Sequence, residues 1–149
     1  MSGGADSRDV LGRWIEALNS KNFAALDDVL AEDCVMDYPQ SGEVFHGRTN
    51  IRAIFETSSR LGKAQVDRTS AQLIGGDLWA ITPSFALVRI AGTGNSRTMI
   101  LKSRYPDGSV WWIIHFTEVS GGKISKSTVY FAPVFDPPQW RAQWVEHRG

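Results

Sequence analysis

Apolar side chains recur along this chain with two different periods, and the change between them divides it. Val10, Leu11, Trp14, Ile15 and Leu18 fall at three- and four-residue intervals, the spacing of one helix face. Asp6 or Ser7 can cap that helix. Asn19–Asn22 interrupts the stripe, and Asn22 is placed to cap a second helix with Phe23, Leu26, Val29 and Leu30 inward. Cys34–Tyr38 then alternates as a short strand. Cys34, Met36 and Tyr38 share one face, Val35 and Asp37 the other. Pro39–Gly42 reads as a turn, a second extended piece ends at Gly47, and Ile51, Ile54, Phe55 and Leu61 mark a third helix.

After Gly62 the pattern becomes that of sheet. The expected strands are roughly Ala64–Ile74, Leu78–Ile90, Thr98–Tyr105, Val110–Val119 and Lys123–Phe131. Turn signals separate them at Gly75-Gly76-Asp77, Gly92-Thr93-Gly94-Asn95, Pro106-Asp107-Gly108 and Gly121-Gly122. Pro83 should bend the second of them. Helices followed by meandering strands predict an α+β fold. Pro137-Pro138 opens a C-terminal extension, with Trp140 and Trp144 one helical turn apart.

Composition narrows the function classes. At 149 residues, 42% hydrophobic, the chain suits one domain over 1–149, with a core at about 7–133 and an extension over 134–149. Sixteen basic and sixteen acidic residues cancel, which gives no reason to expect nucleic acid or an acidic membrane surface. No apolar run approaches the ~20 residues of a membrane span. Cys34 is alone, so no internal disulfide can form, and a cytoplasmic setting is expected. Six Trp and seven Phe exceed the needs of a plain core and suit a lined pocket or a dimer face.

The run GRWIEALNSKNFAALDDVLAEDCVMDYP resembles the opening of the ketosteroid isomerase-like superfamily, which has the nuclear transport factor two-like fold and includes the SnoaL-like cyclases. VFHGRTNIRAIFE looks like that family's loop and third helix, and HFTEVSGGKISKSTVYFAP like its last hairpin. The tail FDPPQWRAQWVE is most similar to SnoaL-like proteins without an assigned reaction. The resemblance implies a cone-shaped α+β barrel: three N-terminal helices on a curved, mainly antiparallel sheet, enclosing a pocket for a small apolar molecule. Trp14, Met36, Phe55, Trp79, Phe85 and Phe131 are expected to line it. In the isomerases an aspartate and a tyrosine do the chemistry where this chain has Tyr38 and Trp14. A neutral phenol, with its reference pKa near 10, is a poor base, so Tyr38 can polarise a substrate, or both aromatics can simply wall the cavity.

His115 is the titratable candidate, set in the strand WWIIHF, which is apolar on both faces. It can act as acid or base, or be a hydrogen-bonded core residue. Glu118 points to the opposite face from His115, and a one-residue shift of the hairpin decides which of them lines the pocket. No HxH or HxxxH pair, GxGxxG unit or P-loop occurs, so neither metal nor cofactor is expected. Two readings follow, with a third behind them. One is cofactor-free isomerisation, cyclisation or dehydration by His115 and Tyr38. The second is a non-catalytic ligand-binding or dimerisation domain. The third is water addition, as in related epoxide hydrolases, although no Asp-Arg-Asp set stands out. An open sheet with large apolar residues on both faces, and few helices to cover it, predicts a homodimer.

Overall fold

The computed structural model of the protein describes residues 7–60, 87–92, 94–104 and 108–147. Helix α1 spans Ser7–Asn19, a 3-10 turn Phe23–Ala25 leads into the single-turn α2 (Leu26–Val29), and α3 spans Arg48–Arg60. The strands are β1 (Leu30–Tyr38), β2 (Glu43–His46), β3 (Leu87–Ala91), β4 (Ser96–Arg104), β5 (Val110–Ser120) and β6 (Lys123–Pro133). Among the described residues they form one sheet in the order β2-β1-β6-β5-β4-β3. Only β1 and β6 run parallel; the other pairs are antiparallel. This is the expected α+β architecture, and over the described residues the sheet does not close on itself.

The α1 stripe packs onto the inner face of β4 and β6, with Val10, Leu11, Trp14, Ile15 and Leu18 buried. From the sheet they meet Met99, Leu101, Ile113 and Val129, and from the first strand Cys34 and Met36. Fully burying one such side chain contributes about 1.5–3 kcal/mol. This single layer of helix and sheet holds the core. α3 lies against β1 and β2, burying Ile51. Its Arg48 donates to the carbonyl oxygens of Asp27 and Leu30 at 3.2 and 3.3 Å, and Lys123 Nζ donates to the Asp27 carbonyl at 3.1 Å. Three segments are thereby joined at the α2–β1 junction.

Some local expectations change. Asn22 precedes the 3-10 turn without a side-chain capping bond, and the second helix gives way to β1 at Leu30, so Leu30 is buried from a strand. Ser7 is the first residue of α1, and its hydroxyl donates to the Gly94 carbonyl while accepting from Arg97 Nε at 2.9 Å. It therefore ties the helix to the β3–β4 turn. The Leu78–Ile90 strand is seen only over Leu87–Ala91; Ala64–Ile74, Pro83 and the rest of Leu78–Ile90 lie outside the described residues. The tail forms a 3-10 helix at Gln139–Trp144. At three residues per turn, positions four apart diverge by about 120°, so Trp140 and Trp144 do not share a face. Each is 72% exposed and does not cap the interior.

The last hairpin holds a bulge. Glu118 pairs with Lys126 and Val119 with Ile124, so Ser125 is the extra residue, and its hydroxyl donates to the Glu118 carbonyl at 3.1 Å. The bulge resets the side-chain alternation of β6, which lets Ile124 and Ser127, three apart, both point inward. The Gly121-Gly122 turn has φ of +62° and +76°, the left-handed geometry of a tight hairpin. Gly92 is more constrained: at φ +96°, an added Cβ would lie 2.8 Å from the Ser96 carbonyl oxygen, whereas one at Gly121 would meet nothing within 4 Å. Gly121→Ala should therefore cost about 1–2 kcal/mol, the left-handed penalty alone. Gly92→Ala should cost more, roughly 3 kcal/mol, because strand backbone must also move. Urea unfolding of both variants checks the order; equal losses would show that the β3–β4 turn is not built this way.

Candidate functional site

Strand alternation in β5 turns Trp111, Ile113, His115, Thr117 and Val119 to the side carrying α1, and Trp112, Ile114, Phe116 and Glu118 to the other. His115 is 5% exposed, whereas Phe116 is 50% exposed. The question of which face is internal is thereby answered for His115. Glu118 stands exposed on the outer face, opposite Lys126, and does not line the interior.

Trp14 of α1 lies over the imidazole, ring centroids 5.1 Å apart and planes at 62°, and it also meets Phe55 of α3 edge-on at 5.8 Å. Below the ring, His115 Nδ1 is 3.4 Å from Ser127 Oγ, which is 3.5 Å from Thr117 Oγ1. The burial has an electrostatic consequence. A charged imidazole would lose its hydration here, so desolvation pushes its pKa down from 6.5 to about 3. At neutral pH the ring is uncharged.

A small cavity opens at this point, lined by Trp14, Leu30, Cys34, Met36, Ile51, Met99, His115, Ile124 and Ser127, with a volume of about 10 Å³. That is the room of one water molecule. Cys34 is no nucleophile here: burial, then the neighbouring Asp33 charge, raise its thiol to about 11. Among the described residues, no group of His, Cys, Asp and Glu side chains could hold a metal ion.

The fold and this interior agree with a family match over residues 11–127, which fit the model of the SnoaL-like domain. The chain belongs to the SnoaL-like family. Solved structures extend the likeness over nearly the whole chain. An NTF-2 like protein of unknown function from Burkholderia xenovorans LB400 is 30% identical, with 96% of this chain and 95% of that one covered and a TM-score of 0.71. A Kribbella flavida DSM 17836 protein named for ketosteroid isomerase is 21% identical over 96% and 90% of the two chains, TM-score 0.70. An M.tuberculosis LEH-like epoxide hydrolase is 16% identical over 84% and 81%, TM-score 0.59. The last two show the fold alone. No curated protein matches the chain significantly.

Within this SnoaL-like domain the expected lining residues divide. Trp14, Met36 and His115 meet at the cavity, with Phe55 behind Trp14. Tyr38 faces inward but joins a separate aromatic group, edge-on to Phe45 at 4.8 Å and to Phe131 at 5.1 Å. Asp37 pairs with Thr128 and His115 with Val129, so Tyr38 and His115 come level, two strands apart. Sheet spacing makes that roughly 10 Å. Trp79, Phe85 and Asp67 lie outside the described residues.

The sequence reading missed Ser127, Thr117 and Met99 at this site. It also missed Gln40. The Gln40 side-chain amide donates to the Phe131 carbonyl at 2.7 Å and accepts from the Phe131 N–H. It copies a peptide and extends the β1–β6 pairing past Pro39, steadying Phe131 beside Tyr38. Ser103, on the inner face beside Trp111, has a buried hydroxyl with no hydrogen-bond partner among the described residues. No helix among the described residues is long and apolar enough to cross a membrane.

The depressed histidine pKa makes a signed prediction. Between pH 6.5 and about 3 the unfolded chain takes up a proton that folded His115 refuses. Stability contributed this way is complete above pH 6.5 and is lost as pH falls, at about 1.4 kcal/mol per pH unit. Urea unfolding at pH 6.5 and pH 5 should show wild type losing about 2 kcal/mol more than His115→Gln over that interval. Equal losses would mean that the imidazole reaches water in solution.

Proposed function

We propose that this domain holds a small, largely apolar molecule with a carbonyl or ring oxygen against the inner face of its sheet. On this reading it acts without a cofactor, by proton transfer in an isomerisation, cyclisation or dehydration. His115 is the acid or base that moves the proton, and Tyr38 polarises the substrate from the far side of the same molecule. Trp14, Met36, Phe55 and Phe131 supply the apolar wall. The observation that carries the reading is a buried, neutral imidazole beside an apolar cavity, in a family of this kind.

The small cavity, about 10 Å³, favours a second reading in which the domain binds or dimerises without catalysis. Epoxide opening has less support, because Asp37 and Glu118 face away from the interior. A cytoplasmic setting fits the single buried thiol.

Molecules released by denaturing freshly purified protein, identified by mass spectrometry, test the ligand class. The expected result is a small apolar carbonyl compound or cyclic ether; a hydrophilic polyanion would overturn it. With such a substrate in hand, His115→Gln should leave affinity within a few-fold and lower turnover by roughly 10²–10⁴. Unchanged turnover would favour the binding domain.

The outer face supports a homodimer as part of the same reading. Phe116 and Tyr130 pack edge-on at 6.0 Å and are 50% and 39% exposed. Lys102 lies over the Trp112 ring at 5.1 Å, and an open groove of about 260 Å³ runs beside Phe116. A two-fold mate would bury on the order of 1,200 Å² or more, and the tail carrying Trp140 and Trp144 would reach across. Light scattering at micromolar concentration should give twice the 16.5 kDa chain mass, and Phe116→Asp should give the monomer. A wild-type monomer would remove the dimer from the proposal.

A further inference from the structure

The sulfur of this chain is gathered in one place. The sequence has three methionines and one cysteine, and all of them except Met1 line the cavity under Trp14. Cys34 and Met36 stand on the inner face of β1, two residues apart, and are 1% and 3% exposed. Met99, 1% exposed, comes from β4 on the opposite wall, directly across from His115 in the β4–β5 register. His115 rises from β5, between those walls. Its Nδ1 lies beside Ser127 Oγ, and its Nε2 makes no hydrogen bond among the described residues. Hard, doubly charged ions find no ligand set, because among the described residues no three His, Cys, Asp or Glu gather. Soft ions ask for different donors. Thiolate and thioether sulfur select copper(I). The cavity, about 10 Å³, has the room of a single water or ion.

We propose that this cavity is a site for one copper(I) ion, held by Cys34 Sγ, Met36 Sδ, Met99 Sδ and His115 Nε2. The Trp14 ring, lying over His115, roofs the site. Charge balance favours this set. A lone cation would lose its hydration in so apolar an interior. Cys34 offsets that by giving up its proton. The Sγ–H bond breaks, the proton leaves to solvent, and the sulfur binds the ion as a thiolate. The buried pair then carries no net charge, and no electron is transferred. The two thioethers and the neutral imidazole add donors without adding charge. Methionine has three rotatable bonds and a polarisable sulfur, so Met36 and Met99 can close on the ion from opposite walls while the sheet stays fixed. The site goes beyond the reading given under Proposed function and does not rest on it. An ion on Nε2 takes the atom that would act in proton transfer, so the two occupants exclude one another.

Silver(I), which has the same charge and softness and does not change oxidation state here, is the probe. Native mass spectrometry should show one ion per chain, and titration in weak buffer should show one proton released. Nitrogen-15 NMR of histidine-labelled protein should show His115 Nε2 shifting at one equivalent, while zinc(II) leaves it in place. Met36→Leu and Met99→Leu nearly conserve volume and keep Cys34. Each should weaken silver(I) binding by roughly tenfold or more, the scale on which metal sites respond to losing even an outer partner. Cys34→Ala should weaken it further and abolish the proton release. Unchanged affinity in either methionine variant would overturn the proposal, since Cys34 alone would then be the binder. Silver(I) binding without an Nε2 shift, or an equal shift with zinc(II), would overturn it too. If a variant fails to fold, the wild-type stoichiometry and Nε2 shift decide.

Discussion

The two-residue period of β5 ties the interior of this domain to its outer face. Once His115 points under α1, Thr117 and Val119 must follow it inward, and Phe116 and Glu118 must point away. One choice of parity therefore builds two surfaces. It puts a neutral imidazole beneath Trp14, and it puts an aromatic pair, Phe116 and Tyr130, on the uncovered side. A one-residue slip would bury the Glu118 carboxylate in the apolar interior and send His115 to solvent. The desolvation of an unpaired carboxylate makes that register untenable. The bulge at Ser125 matters for the same reason, because it brings Ser127 to the inner face where His115 needs a partner.

Polar groups in an apolar interior must be matched, and the inner face shows both outcomes. His115, Ser127 and Thr117 meet one another in a short row, at 3.4 and 3.5 Å. Ser103, four residues along β4 from Met99, the partner of His115, is buried with its hydroxyl unmatched among the described residues. Four residues of strand are about 13 Å, and Leu101 and Ile113 fill the interval with apolar surface.

Much of the architecture could be read from the chain because its signals are local. The α1 stripe, the third helix, the Gly121-Gly122 turn and the β4–β6 meander depend on periodicity and turn chemistry within a few residues. The site was less legible. WWIIHF is apolar on both faces, so alternation could not tell inside from outside, and the bulge that resolves it comes from one unremarkable serine. The Ser127–His115 contact links adjacent strands whose register that bulge sets. Gln40 announces itself no more clearly, since its role depends on reaching Phe131, 91 positions away. The tail went astray for a different reason. A four-residue tryptophan spacing suits an α-helix, but the Pro137-Pro138 lead-in and the short length yield a 3-10 turn, on which the two rings diverge.

If Tyr38 stands where the resemblance puts the isomerases' aspartate, the proposed reading asks something different of the rest of the site. A carboxylate base in an apolar pocket draws its strength from desolvation, and it needs donors nearby to stabilise the enolate it creates. Here the inward-facing groups at the His115 level are a phenol and an uncharged imidazole, both able to donate and neither a strong base near neutral pH. Such a pair stabilises charge on oxygen better than it removes a proton from carbon. Substrates whose leaving proton is already acidic, or whose reaction begins with polarisation of a carbonyl, suit this balance. Cyclisations and dehydrations of that kind ask more of hydrogen-bond donors than of a base. On the proposed reading, an interior that keeps His115 neutral favours them over the steroid isomerase reaction.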